Sequence, residues 1–193
     1  MHRELRRLLH AATGRSEFVV ALFLDVRGFS GFARLAESTE TAAYLRSLYT
    51  RILDNHFQEA AFFKPTGDGL LIVLRYDEGI LSETVNAAVR GALAVVANFP
   101  TICADDPMIN FEVPKELGVG ISRGAATALV SGRKTLDYSG RRLNLAARLR
   151  PSASPAASSI QPSTTIPVKC LMRPSTWGIA SWRGASCNGN ILR

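Results

Sequence analysis

The run from Ala21 to Phe32, A-L-F-L-D-V-R-G-F-S-G-F, constrains this chain more than any other stretch. From Val19 to Leu24, six apolar residues follow one another without alternation, the pattern of a strand covered on both faces. Asp25 ends the run. A carboxylate there can be held partly desolvated while its oxygens face a cleft, as a hard divalent cation bridging phosphates requires. Gly28 and Gly31 let backbone approach a ligand closely, and amides at the start of a following helix can receive phosphate oxygens. An acid in that place also serves as a helix cap or loop residue, so this run alone leaves both readings open.

A second stretch, Phe62 to Leu74, reads F-F-K-P-T-G-D-G-L-L-I-V-L. Two apolar strands flank P-T-G-D-G, which is hairpin chemistry, and Asp68 suits such a turn on conformational grounds alone. Turn chemistry asks for neither Lys64 nor a second strand-associated acid to match Asp25. A third stretch, residues 135–149, is T-L-D-Y-S-G-R-R-L-N-L-A-A-R-L. Leu143, Ala146, Ala147 and Leu149 give a short helix an apolar side. Asn144 and Arg148 are four apart, so they share a helical face and can reach one ligand, although an ordinary polar face has the same spacing.

Together the three stretches resemble the class III nucleotide cyclase catalytic domain. Its first metal acid lies in a strand-end Asp-x-x-Gly-Phe-Ser/Thr, matched by Asp25, Gly28, Phe29 and Ser30. Its Lys-x-x-Gly-Asp hairpin is matched by Lys64, Gly67 and Asp68, and its Asp-x-x-Gly followed by Asn-x-Ala-x-Arg by Asp137, Gly140, Asn144, Ala146 and Arg148. The match spans about residues 17–150 and contains the residue set of an adenylate-type member.

The resemblance implies a reaction: attack of the ribose 3′ oxygen of ATP on the α-phosphorus, giving 3′,5′-cyclic AMP and pyrophosphate. It implies two divalent cations, Mg or Mn, at Asp25, Val26 and Asp68, since oxygen ligands with exchangeable water suit hard ions. Phe29 and Ser30 join the substrate-binding set. Lys64 and Asp137 read the base, the lysine donating to an adenine ring nitrogen and the aspartate accepting from the exocyclic amine. Guanylate-selective members carry Glu and Cys-like residues in these places. Asn144 orients the ribose, and Arg148 stabilises charge developing on the phosphoryl oxygens. Metal acids and base-reading residues come from different subunits in the family, so a homodimer of this chain holds two equivalent shared sites. The fold implied is an α/β, ferredoxin-like sandwich with a mainly antiparallel sheet and flanking helices. A runner-up reading is a weakly active cyclase-homology domain that binds nucleotide or dimerises as a regulatory module.

The remaining sequence fills in this frame. Residues 1–16 read as a basic lead-in carrying Arg3, Arg6, Arg7 and Arg15, too short in its apolar part for a signal peptide or membrane span. Helices are expected from about Thr39 to Phe57, capped by Ser38 or Thr39, and from Ser82 to Phe99, stopped by Pro100. Strands are expected from Leu117 and again over Ala125 to Val130, and the element order reads βααββαββ. Three widely spaced cysteines fit neither a disulfide framework nor a zinc site, which points to a reducing cytoplasm.

Net charge is +7, but residues 1–137 hold 15 Lys and Arg against 16 acids, while residues 138–193 hold eight basic residues and no acid. That tail charge is spread out and lies in no nucleic-acid motif, so no nucleic-acid partner is expected; regulatory domains in a longer protein are compatible with the family. Residues 151–193 are rich in Ser and Pro and read as irregular. The family's terminal Lys-Gly pair is missing, because Lys169 is followed by Cys170. The abrupt change of composition after Leu149 leaves two origins open, an out-of-frame ending or a divergent terminus.

Overall fold

The computed structural model describes residues 2–149 and the backbone of three short segments beyond them, at 165–166, 168–171 and 182–183. Helix α1 (Arg3–His10) leads into a long strand, β1 (Ala12–Val26). Then come α2 (Phe29–Leu35), α3 (Ser38–His56), the hairpin β2 (Phe62–Pro65) and β3 (Gly69–Arg75), α4 (Leu81–Asn98) and a short 3₁₀ turn. The described body closes with β4 (Leu117–Ser131), β5 (Lys134–Ser139) and α5 (Arg141–Leu149). The later segments are β6 (Thr165–Ile166), β7 (Val168–Leu171) and β8 (Trp182–Arg183).

The main sheet runs in the order β2-β3-β1-β4-β5, all pairs antiparallel, with β7 added in parallel to the first half of β4. This is the ferredoxin-like α/β sandwich expected. The unalternating run in β1 is explained by its burial. Val20, Leu22, Leu24 and Val26 face the core under α3 and α4, whereas Val19 and Ala21 join a second cluster with Leu143 and Ala146 of α5. Both sides of β1 are therefore dry over this run, and period-2 alternation has no solvent face to report there.

Four details differ from the sequence reading. β1 begins at Ala12, inside the segment read as a lead-in, because its first half pairs with the second half of β4. The apolar stretches around Arg123-Gly124 form a single strand paired with β1 over Ala12 to Val26, and the last strand before α5 is instead Lys134–Ser139. The α3 cap is Glu37, whose side chain and that of Glu40 bond each other's backbone amides in a capping box. Two acids in reciprocal bonding displace the hydroxyls of Ser38 and Thr39. The expectation of irregularity over 151–193 falls mostly outside the described residues, although β7 joins the sheet within it. None of the helices among the described residues is long and apolar enough to cross a membrane.

Candidate active site

Asp25 lies one residue before the end of β1, opposite Gly69 of β3 and Gly118 of β4, and is only 8% exposed. Burial of a carboxylate between two strands is tolerated only when charge or hydrogen bonds compensate it. Here the Arg27 guanidinium stands 3.2 Å from its Oδ2. Asp68 sits in the turn between β2 and β3, and its carbonyl accepts the Val26 amide at 2.9 Å. The end of β1 is thereby tied to the acidic turn, so the two carboxylates expected to bind metal come from adjoining backbone. The turn closes with the Thr66 amide donating to the Gly69 carbonyl, and the Tyr49 hydroxyl of α3 donates to the Gly67 carbonyl at 3.0 Å. Burial, and then the negative charge of Asp68, push the Tyr49 hydroxyl above its ordinary pKa, so it stays protonated and donating. Tyr49 reads in sequence as one more residue on an apolar stripe; only its hydroxyl hints at this second task.

Lys64 and Asp137 are on β2 and β5, the two ends of the five-strand order. They nevertheless meet, Lys64 Nζ donating to Asp137 Oδ2 at 2.7 Å. Phe62 and Tyr138 beside them pack edge to face with ring centroids 5.4 Å apart. The sheet is therefore coiled enough to bring these residues of its two edge strands together, and paired strands twist relative to one another as a rule. The other oxygen of Asp137 accepts the Tyr138 amide at 2.9 Å, and the Tyr138 hydroxyl donates to Glu17 on β1. Burial alone would raise Glu17, but hydrogen bonds from Tyr138 and Arg15 and the charges of Arg15 and Arg75 outweigh it and hold the carboxyl below its usual range. Burial and the bond to Glu17 push Tyr138 up to about 12. Neither Glu17 nor Tyr138 belongs to the motifs, and a partnership across 121 residues leaves no local signal.

Asn144 and Arg148 lie on the exposed side of α5, whose Leu143 and Ala146 are buried against the sheet. This is the shared face expected from their spacing. Ser30 is exposed at the start of α2, while the Phe29 ring packs against Phe32 at the edge of the core, 6.0 Å between centroids. Val26 has its side chain buried, so its backbone carbonyl is what it can offer a cation. Asp105 and Asp106 lie away from these groups: Asp105 is 3.8 Å from Arg51, and Asp106 accepts the Met108 amide in a turn.

The donor set fits Mg or Mn. Among the described residues no cluster of three or more His, Cys, Asp or Glu side chains could hold a metal alone. Two carboxylates on adjoining backbone and a nearby carbonyl are too few to enclose an ion, and a donor set of that kind suits Mg, which keeps water and substrate phosphates in its shell, better than an all-protein Ca or Zn cage.

Comparison with known proteins agrees with this fold. The chain is similar in fold to the adenylyl cyclase CyaB from P. aeruginosa, with 21% identity, a TM-score of 0.60, and 71% of this chain and 72% of that one covered. It is also similar to the catalytic core of a rhodopsin-guanylyl cyclase with converted specificity in complex with ATPalphaS, at 19% identity, TM-score 0.54, and 72% and 73% covered. The non-canonical dimeric guanylyl cyclase domain of the RhoGC fusion protein from the aquatic fungus Blastocladiella emersonii shares 18% identity at TM-score 0.54, with 72% and 75% covered. No curated protein matches the sequence. The family model for the adenylate and guanylate cyclase catalytic domain matches residues 12–178, and with that match over most of its length the chain belongs to this family.

Proposed function

We propose that this chain is an adenylate cyclase, converting ATP to 3′,5′-cyclic AMP and pyrophosphate in a site shared between two copies. The observation that carries this reading is the Lys64–Asp137 pair, 2.7 Å apart and held in place by Tyr138. A donor beside an acceptor matches the edge of adenine, where a ring nitrogen accepts and the exocyclic amine donates. In the same orientation guanine sets an acceptor oxygen against the Asp137 carboxylate, an unfavourable contact between two acceptors.

Each remaining residue has a task in the reaction. Asp25 and Asp68 of one copy would hold two Mg or Mn ions together with the Val26 carbonyl; when bound, these ions activate the attacking hydroxyl and neutralise phosphate charge. Asn144 of the other copy orients the ribose by hydrogen bonding. Its 3′ oxygen then stands in line with the bond from the α-phosphorus to the bridging oxygen. As the hydroxyl loses its proton to water and the new P–O bond forms, that bridging bond breaks and pyrophosphate leaves with the electron pair. Arg148, exposed on α5 and with five fixed donors, stabilises the charge on the phosphoryl oxygens during the transfer. Asn144 and Arg148 point away from their own core, which suits a site completed by a partner.

The test is production of cyclic AMP from Mn-ATP by the purified chain, with Mn-GTP in parallel. Cyclic AMP formation with a clear preference for ATP is expected. Binding of ATP without turnover, or a preference for GTP, overturns the proposal.

A further inference from the structure

Arg27 belongs to none of the roles assigned above, yet it is the cation placed on the first metal acid. Its Nη1 lies 3.2 Å from Asp25 Oδ2, and the two side chains are 21% and 12% exposed. The placement is built into the fold. The Arg27 amide donates to the Glu116 carbonyl at 2.9 Å, which fixes the residue beside β4. Its guanidinium then lies against Gly118: a Cβ added there would come within 2.4 Å of Nη2 and 2.9 Å of Cζ. A glycine facing Asp25 on β4 is thus what leaves room for the arginine. Arg27 also lines an open cavity of about 370 Å³ with Gly28, Phe32 and Phe111, next to the glycine turn.

We propose that Arg27 couples cation binding to nucleotide binding, so that the empty enzyme takes up Mg or Mn poorly and the nucleotide-loaded enzyme takes it up well. This rests on the reading of Asp25 as a metal ligand. A buried carboxylate needs a counter-charge, and Arg27 supplies one in the absence of metal. A divalent ion arriving alone must compete with a guanidinium for the same oxygens and then sit beside it as a like charge. A triphosphate changes the balance, because its oxygens give the released guanidinium a new anionic partner of matching fork geometry. Coupling of this kind is reciprocal, so the cation tightens nucleotide by the same factor.

The experiment measures Mn binding to the full chain by the electron paramagnetic resonance of the free ion, with no nucleotide and again with 3′-deoxy-ATP, which cannot cyclise. Without nucleotide, Arg27→Gln is expected to bind Mn roughly tenfold tighter than the unaltered chain, within the usual range of coupling factors. Arg27→Lys, which keeps the charge, is expected to bind as weakly as the unaltered chain, an outcome a purely structural role does not produce. The gain on adding 3′-deoxy-ATP should shrink by the same roughly tenfold factor in Arg27→Gln. Gly118→Ala, which crowds the guanidinium out of its slot while keeping the arginine, should shift Mn affinity in the same direction. Unchanged or weaker Mn binding by both Arg27→Gln and Gly118→Ala overturns the proposal while leaving the metal reading intact. Asp25→Asn separates the two: if with 3′-deoxy-ATP present it binds Mn as the unaltered chain does, the assignment of Asp25 fails and the coupling falls with it.

Discussion

The Val26 amide donates to the Asp68 carbonyl at 2.9 Å, and this bond extends the β1–β3 ladder that sets the backbones of two acids 43 positions apart in the chain beside each other at one end of the sheet. The bond is backbone to backbone, so it survives replacement of either carboxylate.

Asp25→Ala and Arg148→Ala are each expected to lower cyclic AMP production at least 100-fold, the scale for loss of a group acting on the transferring phosphoryl. Mixing the two variants should restore about a quarter of normal activity, since half of randomly formed dimers are mixed and each has one intact site of two. The measurement is cyclase activity of the mixture beside that of each variant, with dimer formation followed by light scattering. No recovery in dimers that demonstrably form contradicts the shared site.

Exchanging Lys64→Glu together with Asp137→Cys should cut the ratio of kcat/KM for ATP over GTP on the order of 100-fold, because hydrogen-bonding pockets reject mismatched edges strongly. Retention of full discrimination in the double variant means the base is read elsewhere.

The pair Tyr138 and Glu17 should shape stability at both ends of the pH range. Glu17 is depressed in the folded chain, so its contribution is present above the unfolded value of 4.5 and is lost as pH falls through the folded pKa. Tyr138 is raised from 10.0 to about 12, so its contribution is present below 10 and is lost as pH climbs toward 12. Tyr138→Phe is expected to flatten both limbs of the curve of Tm against pH while costing about 1 kcal/mol on the plateau between them, the net worth of one hydrogen bond. Limbs identical to those of the unaltered chain show that the bond does not matter.

Gly69 is the residue opposite Asp25, and a Cβ there would fall 2.1 Å from the Leu24 carbonyl oxygen. Because that atom is backbone, it cannot swing aside, and Gly69→Ala should destabilise by about 1–3 kcal/mol, as overpacking does. Gly31→Ala, inside α2, meets open space and should raise stability by up to about 1 kcal/mol, the helix preference of Ala over Gly. Denaturant titrations of the two variants check the contrast.

The alignment of motifs, the spans of α3 and α4, the β2–β3 hairpin and the shared face of Asn144 and Arg148 were all decided by the sequence alone. Each depends on neighbours within a few turns or a few strand residues, where periodicity and turn chemistry act. Three things were settled only by tertiary structure: that Lys64 meets Asp137 from the opposite end of the strand order, that Tyr138 and Glu17 brace that contact, and that Arg27 falls on Asp25 in the room left by Gly118. Lys64 and Asp137 are 73 residues apart, and their meeting follows from the accumulated coil of five paired strands. Twist of that kind is a property of the assembled sheet, so no window along the chain contains it.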